Sequence, residues 1–314
     1  RDQTGGVHEY SQDHQRLHFG LGQNTQIDLI EIEWPSGIVQ RIGNVGINQV
    51  LKVTEQAAAD VLFSLRNSTT VDGVAVRSED IVRYDGSSFT LFFDGSDVGL
   101  GKQGVNVDAF TVISDNEILI SFGKALTLKG VGNVDDSDVV KFTATSLGEE
   151  TAGTFEMYLD GSDVGLTTGG EDIDGLTRLS DGSLAISTRG KASVPGVNAE
   201  NADLLLFNPT SLGEDTSGSW SMYFDGSDVG LADGLNEDID GVTVDASGKL
   251  VFSTAGNFSV PGLSGADEDV FGFTASSTGS NTAGSFDTDL FFDGSKFNLS
   301  NMNIDALSFT VDAF

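Results

Sequence analysis

The chain of 314 residues has no cysteine, only four prolines and only three histidines. Without cysteine, neither a disulfide framework nor a thiolate metal site can form. The sequence has no apolar run of about 18 residues, so it offers no candidate membrane span. Helical periodicity is nearly absent as well, which disfavours an α-helical fold.

Positive charge is also scarce. Lys and Arg number 16 against 48 Asp and Glu, which gives a formal net charge of −32. Nucleic-acid binding needs cationic groups that displace counterions, so we expect no nucleic-acid partner. Insertion into or binding to an anionic membrane is disfavoured too. So many carboxylates suit divalent cations, or they serve only to keep an exported protein soluble.

The 40 glycines and 21 phenylalanines fit an all-β fold with many glycine turns. Within the first 56 residues, positions 27–34 alternate apolar and polar side chains and predict a half-buried strand. Residues 35–37 (Pro-Ser-Gly) predict a turn. Residues 38–42 and 49–55 predict a second and a third strand.

Several short motifs in this segment resemble the ASPIC/UnbV module, a small β-rich domain of bacterial exported proteins that carry FG-GAP repeats. The motifs are Ser11-Gln12, Leu17-His18-Phe19-Gly20-Leu21-Gly22, Glu33-Trp34-Pro35-Ser36-Gly37 and Asn48-Gln49. The resemblance covers residues 1–56, begins inside the module, and implies an N-terminally truncated copy. It also implies export, and it brings no catalytic residues with it.

All three histidines, His8, His14 and His18, lie in this segment. His14 and His18 are four residues apart, a spacing that suits a metal only on a helix. The following Phe19-Gly20 disfavours a helix, so we expect packing or surface roles for these histidines.

From residue 61 the sequence repeats itself. Residues 93–100 return at 159–166 and 224–231, and in degenerate form at 292–297. A second landmark is the aspartate series Asp108, Asp174, Asp240 and Asp305, with steps of 66, 66 and 65 residues. A fixed period of this length indicates an array, a solenoid or a propeller.

Each repeat contains four strand-like segments, which in the second copy are 138–145, 153–159, 173–179 and 183–188. Four strands per unit predict the blade of a β-propeller. The last repeat ends before its final strand, and residues 61–65 have the sequence of that strand. We therefore predict an all-β, four-bladed β-propeller over residues 57–314, closed by an N-terminal strand and preceded by a small β-rich domain. The alternative is an open array that continues beyond residue 314.

The repeated aspartates predict a metal site. Each blade offers two oxygen-bearing side chains two residues apart, and such positions share one face of a strand. The pairs are Asn106/Asp108, Asp172/Asp174, Asp238/Asp240 and Asn303/Asp305. If these strands begin at the channel mouth, they form a ring that suits Ca²⁺, with Asp108, Asp172, Asp174, Asp238, Asp240 and Asp305 as ligands. Alternatively, each aspartate caps a turn or accepts a backbone N–H from a neighbouring blade.

The Asp-Gly-Ser-Asp segments, such as Asp94–Asp97, predict turns and do not match an EF-hand loop. The repeats contain neither His nor Cys, which excludes triad chemistry there. Pairs drawn from Asp172, Asp174, Asp238 and Asp240 could hydrolyse glycosides, but an acid and a base need different environments and the blades are close copies.

Aromatic side chains could stack on a glycan or pack between blades. The candidates are Tyr84, Tyr158, Trp220 and Tyr223, with Phe155 and Phe286 at positions that match Trp220. Packing is the favoured interpretation for Phe155, Trp220 and Phe286.

Together these features predict a binding and structural module that is extracellular or at the cell surface of a bacterium. We expect it to bind Ca²⁺ and to mediate adhesion to matrix, a glycan or an extracellular protein. The alternatives are a carboxylate-based enzyme that acts on polysaccharides and an inert spacer domain.

Overall fold

The structure is a computed structural model. It describes residues 22, 24–33, 39–51, 53, 60–232, 234, 236–245 and 247–310. The chain divides into two compact units, Arg1–Ala57 and Ala58–Phe314. No helix within the described residues is long and apolar enough to cross a membrane.

The first unit contains an antiparallel hairpin of β1 (Gln26–Glu33) and β2 (Val39–Gly46), which confirms the first two predicted strands. The predicted third strand is wrong at residues 49–51 and 53, which are not in a strand. Val50 is 72% exposed there, so the apolar pattern does not mark a buried strand face. The rest of that segment and all three histidines lie outside the described residues.

The second unit consists of short strands and three 3-10 turns. In chain order the strands are β3 (Val61–Leu65), β4 (Thr69–Val71), β5 (Val74–Val76), β6 (Ile81–Tyr84), β7 (Phe89–Phe93), β8 (Val107–Ser114), β9 (Glu117–Phe122), β10 (Leu126–Leu128), β11 (Gly132–Val134), β12 (Val139–Ser146), β13 (Ala152–Leu159), β14 (Ile173–Arg178), β15 (Leu184–Thr188), β16 (Ala192–Val194), β17 (Val197–Ala199), β18 (Leu204–Ser211), β19 (Ser217–Phe224), β20 (Gly241–Val244), β21 (Leu250–Ser253), β22 (Phe258–Val260), β23 (Leu263–Gly265), β24 (Asp269–Ser277), β25 (Ala283–Phe286), β26 (Phe292–Asp293) and β27 (Ile304–Phe309). The 3-10 turns are Ser162–Val164, Ser227–Val229 and Gly294–Phe297.

Four antiparallel sheets form the four predicted blades. From the innermost strand outward, blade I is β27-β3-β6-β7 and blade II is β8-β9-β12-β13. Blade III is β14-β15-β18-β19, and blade IV is β20-β21-β24-β25 with β26 also paired to β24. The innermost strands β8, β14, β20 and β27 contact one another around the axis.

The ring closes within blade I. The C-terminal strand β27 pairs with the N-terminal strand β3, with Ile304 opposite Leu65 and Phe309 opposite Val61. This ladder confirms the predicted closure and leaves no place for the open-array alternative. Pairing the two distant ends of the repeat region also removes an exposed sheet edge.

The predicted grouping of strands into a blade is wrong by half a blade. Residues 138–145 and 153–159 lie in the outer strands of blade II, whereas 173–179 and 183–188 lie in the inner strands of blade III. The sequence repeat gives the period but not the point at which one sheet ends. That point depends on which strands pair.

Each blade also carries a two-stranded hairpin between its second and third strands, which the sequence did not predict. The four hairpins are β4-β5, β10-β11, β16-β17 and β22-β23. Every hairpin strand has only three residues, too few for an alternating pattern to stand out.

Apolar side chains fill the space between adjacent blades. Phe93 of blade I, for example, packs edge-on against Phe142 of blade II, with ring centroids 5.2 Å apart. Both side chains are fully buried. Phenylalanine therefore supplies much of the contact that positions the inner strands around the axis.

Candidate functional site: the acidic ring

The six aspartates predicted as ligands, here called the acidic ring, lie in the first two residues of the innermost strands or within three residues before them. Asp108, Asp174 and Asp305 each fall where the register between the first and second strand of their blade shifts by one residue. Asp240 directly precedes β20. A β-bulge re-aims a side chain, so the same local irregularity sets the ring position in three blades.

A cavity of about 170 Å³ lies at the axis. Its lining residues are Arg66, Asp108, Asp174, Arg189, Asp238, Asp240, Ala255 and Asp305. Every aspartate of the acidic ring is at most 5% exposed. The structure thus places five of the six predicted ligands around one cavity, and the sixth, Asp172, beside the Arg189 side chain at 3.9 Å.

Two asparagines bridge the carboxylates. The amide nitrogen of Asn106 donates to Asp108 of its own blade and to Asp305 of blade I, the latter at 2.6 Å. The amide nitrogen of Asn303 donates to Asp240 at 2.7 Å. A side-chain amide has an NH₂ donor and an oxygen acceptor. The same asparagines can therefore donate to the carboxylates when no cation is bound and offer an oxygen when one is.

Buried serines on the second strands hold two of the carboxylates. Ser187 donates to Asp174 at 2.7 Å, and Ser253 donates to Asp240 at 2.9 Å. Ser187 also contacts the backbone oxygen of Ile239 in blade IV. These contacts fix the aspartates but do not use up their acceptor capacity.

Two arginines at the cavity were not predicted. Arg66 and Arg189 follow the buried serine of the second strand by two residues, in blades I and III, and the other two blades have Gly123 and Ala255 at that position. Their ion pairs are long, 3.7 Å from Arg66 to Asp305 and 3.9 Å from Arg189 to Asp172. The sequence signal that could have identified them is the alternation of Arg with a small residue at this repeat position from one blade to the next.

Three oxygens of the site have no hydrogen-bond partner although they are buried. They are Oδ1 of Asp172, Oδ1 of Asp238 and Oδ1 of Asn303. The parent side chains are 2%, 4% and 6% exposed. Leaving a buried acceptor unsatisfied costs about 1–3 kcal/mol, and more when it is charged.

Burial also changes the protonation of the ring. It raises the pKa of Asp172 and of Asp238 to about 8, and neighbouring carboxylates add to both shifts. It raises the pKa of Asp240 to about 7. The pKa values of Asp108, Asp174 and Asp305 are raised as well, chiefly by burial. Part of the ring therefore holds protons at neutral pH when no cation compensates its charge.

The side chains as placed do not form a closed coordination shell. Among the described residues, no group of three or more His, Cys, Asp or Glu stands ready to hold a metal ion. The calcium ring remains a prediction, and a bound cation would require the carboxylates and amides to turn toward it.

The Asp-Gly-Ser-Asp segments are turns that join blades. Asp97 of blade I accepts the backbone N–H of Thr151 in blade II at 2.9 Å, and the Thr151 hydroxyl accepts the N–H of Asp94 at 2.9 Å. The same two contacts recur at the next two junctions, where Thr216 meets Asp163 and Asp160 and Thr282 meets Asp228 and Asp225. These turn aspartates therefore bind the backbone of a neighbouring blade. The sequence allowed that role for the ring aspartates.

The aromatic candidates are packed in the fold. Trp220 is 9% exposed, stacks near Phe207 and donates its indole N–H to the backbone oxygen of Val164 at 2.9 Å. Tyr158 and Tyr223 pack against the apolar cores, and Tyr84 stacks on Phe89 with centroids 4.6 Å apart. The packing interpretation accounts for all four.

Comparison with known proteins finds a family match in the first unit. The sequence model of the ASPIC and UnbV family matches residues 1–60, which confirms the resemblance drawn from the motifs. No curated protein matches the chain.

Two solved structures from B. thetaiotaomicron are similar to this chain. One is the extracellular domain of a putative one-component system, with 11% identity, a TM-score of 0.26, and coverage of 73% of this chain and 33% of that one. The other is the extracellular domain of a putative hybrid two-component system, with 10% identity, a TM-score of 0.31, and coverage of 83% and 38%. This chain thus spans well under half of either protein, and neither likeness transfers a function.

Proposed function

We propose that this chain is a binding and structural module of an exported bacterial protein, and that its acidic ring holds Ca²⁺. The observation that carries the proposal is the unpartnered Oδ1 of Asp238, on a 4% exposed side chain that lines the axial cavity. A buried oxygen without a hydrogen-bond partner costs free energy in the folded state, and a bound cation would supply the missing partner.

The chemistry of the ring suits a hard cation. Five carboxylates and two guanidinium groups line the cavity, so acidic groups are in excess there. Ca²⁺ takes six to eight oxygen ligands in a flexible geometry. Asn106 and Asn303 can add amide oxygens by a flip of the side-chain amide, which exchanges a donor for an acceptor in place.

Export is supported by the ASPIC and UnbV match at residues 1–60 and by the net charge of −32, which favours solubility outside the cell. Adhesion to matrix, a glycan or an extracellular protein belongs to the same proposal. The aromatic residues first considered for glycan contact are packed in the fold, so such a contact would use other surfaces.

The size of the cavity disfavours the enzyme alternative. Ligand pockets usually measure about 300–1,000 Å³, and the axial cavity measures about 170 Å³. That space suits an ion with a few waters or one small group rather than a polysaccharide strand.

The test is a thermal melt of the whole chain with millimolar Ca²⁺ and with chelator. A ligand bound only by the folded state raises the melting temperature with concentration, so we expect a shift of several degrees. The variant Asp174→Asn/Asp240→Asn should lose that shift. The control Asp115→Asn/Asp215→Asn removes two exposed carboxylates and should keep it. An unchanged melting temperature in the wild-type protein would reject the calcium ring.

A further inference from the structure

We propose that Arg66 and Arg189 form an anion subsite at the mouth of the cavity, which binds the carboxylate group of a small ligand once Ca²⁺ is in the ring. This inference rests on the proposed calcium site. It assigns a further role to two side chains whose positive charges also oppose the upward pKa shifts of Asp172 and Asp238.

The arginines are placed as a pair. They occupy the same position of the repeat in blades I and III, with Gly123 and Ala255 at that position in blades II and IV. Backbone hydrogen bonds fix both, from the N–H of Arg66 to Asn303 and from the N–H of Arg189 to Asp172, at 3.2 and 3.0 Å. The two arginines therefore alternate with small residues around the axis, and both line the cavity.

Neither guanidinium is held tightly by the ring. The Arg66 and Arg189 side chains are 41% and 57% exposed. Their ion pairs of 3.7 and 3.9 Å exceed the 2.7–2.9 Å of a charge-assisted hydrogen bond. The planar, forked donors are therefore free to bind a carboxylate, the anion whose geometry they match.

The acidic floor makes this binding conditional. Without a cation, the carboxylates of Asp174, Asp238 and Asp240 lie beside the same cavity and repel an anion. A bound Ca²⁺ neutralises part of this negative charge and can itself accept an anionic oxygen. The two ligands should therefore bind cooperatively, and each must raise the affinity for the other by the same factor.

The ligand should carry a single small acidic group. The cavity of about 170 Å³ limits its size. A net charge of −32 over the whole chain repels a polyanion before it can reach the mouth. A monocarboxylate, or one acidic group at the end of a neutral molecule, meets both limits.

The experiment is calorimetric titration of the whole chain with Ca²⁺ in sodium acetate, and again in acetamide with sodium chloride at the same ionic strength. Acetamide is a neutral analogue of acetate with nearly the same shape. We expect acetate to raise the Ca²⁺ affinity about fivefold or more, the range of typical coupling between sites. Acetate also binds Ca²⁺ weakly in solution, which lowers the apparent affinity, so a rise cannot come from the solution.

Variants locate the effect. Arg66→Gln/Arg189→Gln should abolish the acetate effect, whatever it does to Ca²⁺ affinity itself. Arg83→Gln/Arg178→Gln removes two arginines from the same blades but away from the cavity and should keep the effect. The subsite is rejected if Ca²⁺ binds equally in both buffers, or if the Arg66/Arg189 variant retains the enhancement. Absence of any Ca²⁺ binding would instead reject the proposed function on which the subsite rests.

Discussion

The four junctions between blades are not held by the same interactions. Three of them share one pattern, and the fourth, between blade IV and the blade in which the two ends of the repeat region pair, has another. From blade I to II, II to III and III to IV, an Asp-Gly-Ser-Asp turn and a threonine exchange two hydrogen bonds across the junction. At the second junction Asp163 accepts the Thr216 N–H at 2.9 Å, and the Thr216 hydroxyl accepts the Asp160 N–H at 3.0 Å. From blade IV to blade I, the residue at the aspartate position is Lys296, which is 71% exposed. The facing turn of blade I is a short one, capped by Asp85.

Aromatic packing, which also occurs at other junctions, as between Phe93 and Phe142, takes the place of the polar pair at the fourth junction. Phe297 stands where the other repeats have valine, and it lies 5.0 Å from Tyr84 and 5.1 Å from Phe89 of blade I, measured between ring centroids. Phe292 lies 5.6 Å from both Tyr84 and Phe63. Together with the β3-β27 ladder, this aromatic cluster closes the ring.

The junctions differ because the segments that meet at the fourth junction are much farther apart in the sequence than those at the other three. Blades joined in sequence are already close, so a pair of hydrogen bonds worth about 1 kcal/mol each suffices to set their angle. The closing junction must also offset the entropy of bringing together segments far apart in the chain. Buried aromatic area and a full strand ladder supply that larger stabilisation.

The largest expected effect acts on all four junctions at once, through the acidic ring. Burial raises the pKa of Asp172 and Asp238 to about 8, from about 3.9 in an unfolded chain. The folded state therefore holds these protons more tightly. The stability they contribute is present below about pH 4 and is lost as the pH rises through about 8.

We accordingly expect the free energy of unfolding of the metal-free protein to fall by several kcal/mol between about pH 5 and about pH 9. Denaturant melts across this range measure it, and Asp238→Asn should flatten the slope. Because the aromatic cluster and the β3-β27 ladder hold the closing junction more strongly than an Asp–Thr pair holds the others, hydrogen exchange at high pH should reach β15 before β3. Equal hydrogen-exchange rates in the two strands would show that the two kinds of junction do not differ in stability.

The next effect is specific to the closing junction. Phe63 is fully buried in β3 and contacts Phe89 and Phe292, with centroids 6.2 and 5.6 Å apart. Phe63→Ala should lower the free energy of unfolding by about 3–5 kcal/mol, through lost burial and the cavity left behind. Phe291→Ala, at a residue 43% exposed, is the control and should cost much less. Similar losses in the two variants would argue against a closing role for the aromatic cluster.

The smallest effect concerns an Asp–Thr junction. Thr216 is 5% exposed, and its hydroxyl accepts the N–H of Asp160 and donates to Gly213. Thr216→Val keeps the shape and removes both bonds, so we expect a loss of about 1–2 kcal/mol in a denaturant melt. Thr210→Val, at an exposed hydroxyl, should be near neutral. Lys296→Ala should be near neutral too, and a large loss there would mean that the fourth junction is also held at this loop.

Much of the fold could be predicted from repetition. Copies of 66 residues, four strand-like segments per copy and a displaced copy of one strand at residues 61–65 predicted four blades and the closing strand. The four hairpins were missed because strands of three residues leave no periodic signal. The blade boundary was misplaced because a repeat period gives the spacing of the copies but not the strand at which each sheet begins.

The sequence predicted the aspartates of the candidate site but not the two arginines that offset part of their negative charge. Spacing alone identified the six aspartates of the ring. It did not identify Arg66 and Arg189, because they follow the second strands and occur in only two of the four copies. Only the pairing of first and second strands within each sheet brings the two sets to one cavity.

The sequence by itself determined the all-β class, the number of blades, the turns and the identity of the repeated carboxylates, because each of these is a local pattern copied at a fixed period. The tertiary structure alone decided which strands share a sheet, where the β-bulges direct the aspartates, and that two arginines and two bridging asparagines meet them at the axis. Those outcomes depend on contacts between residues distant in the chain, and a local pattern contains no information about the partner it will meet.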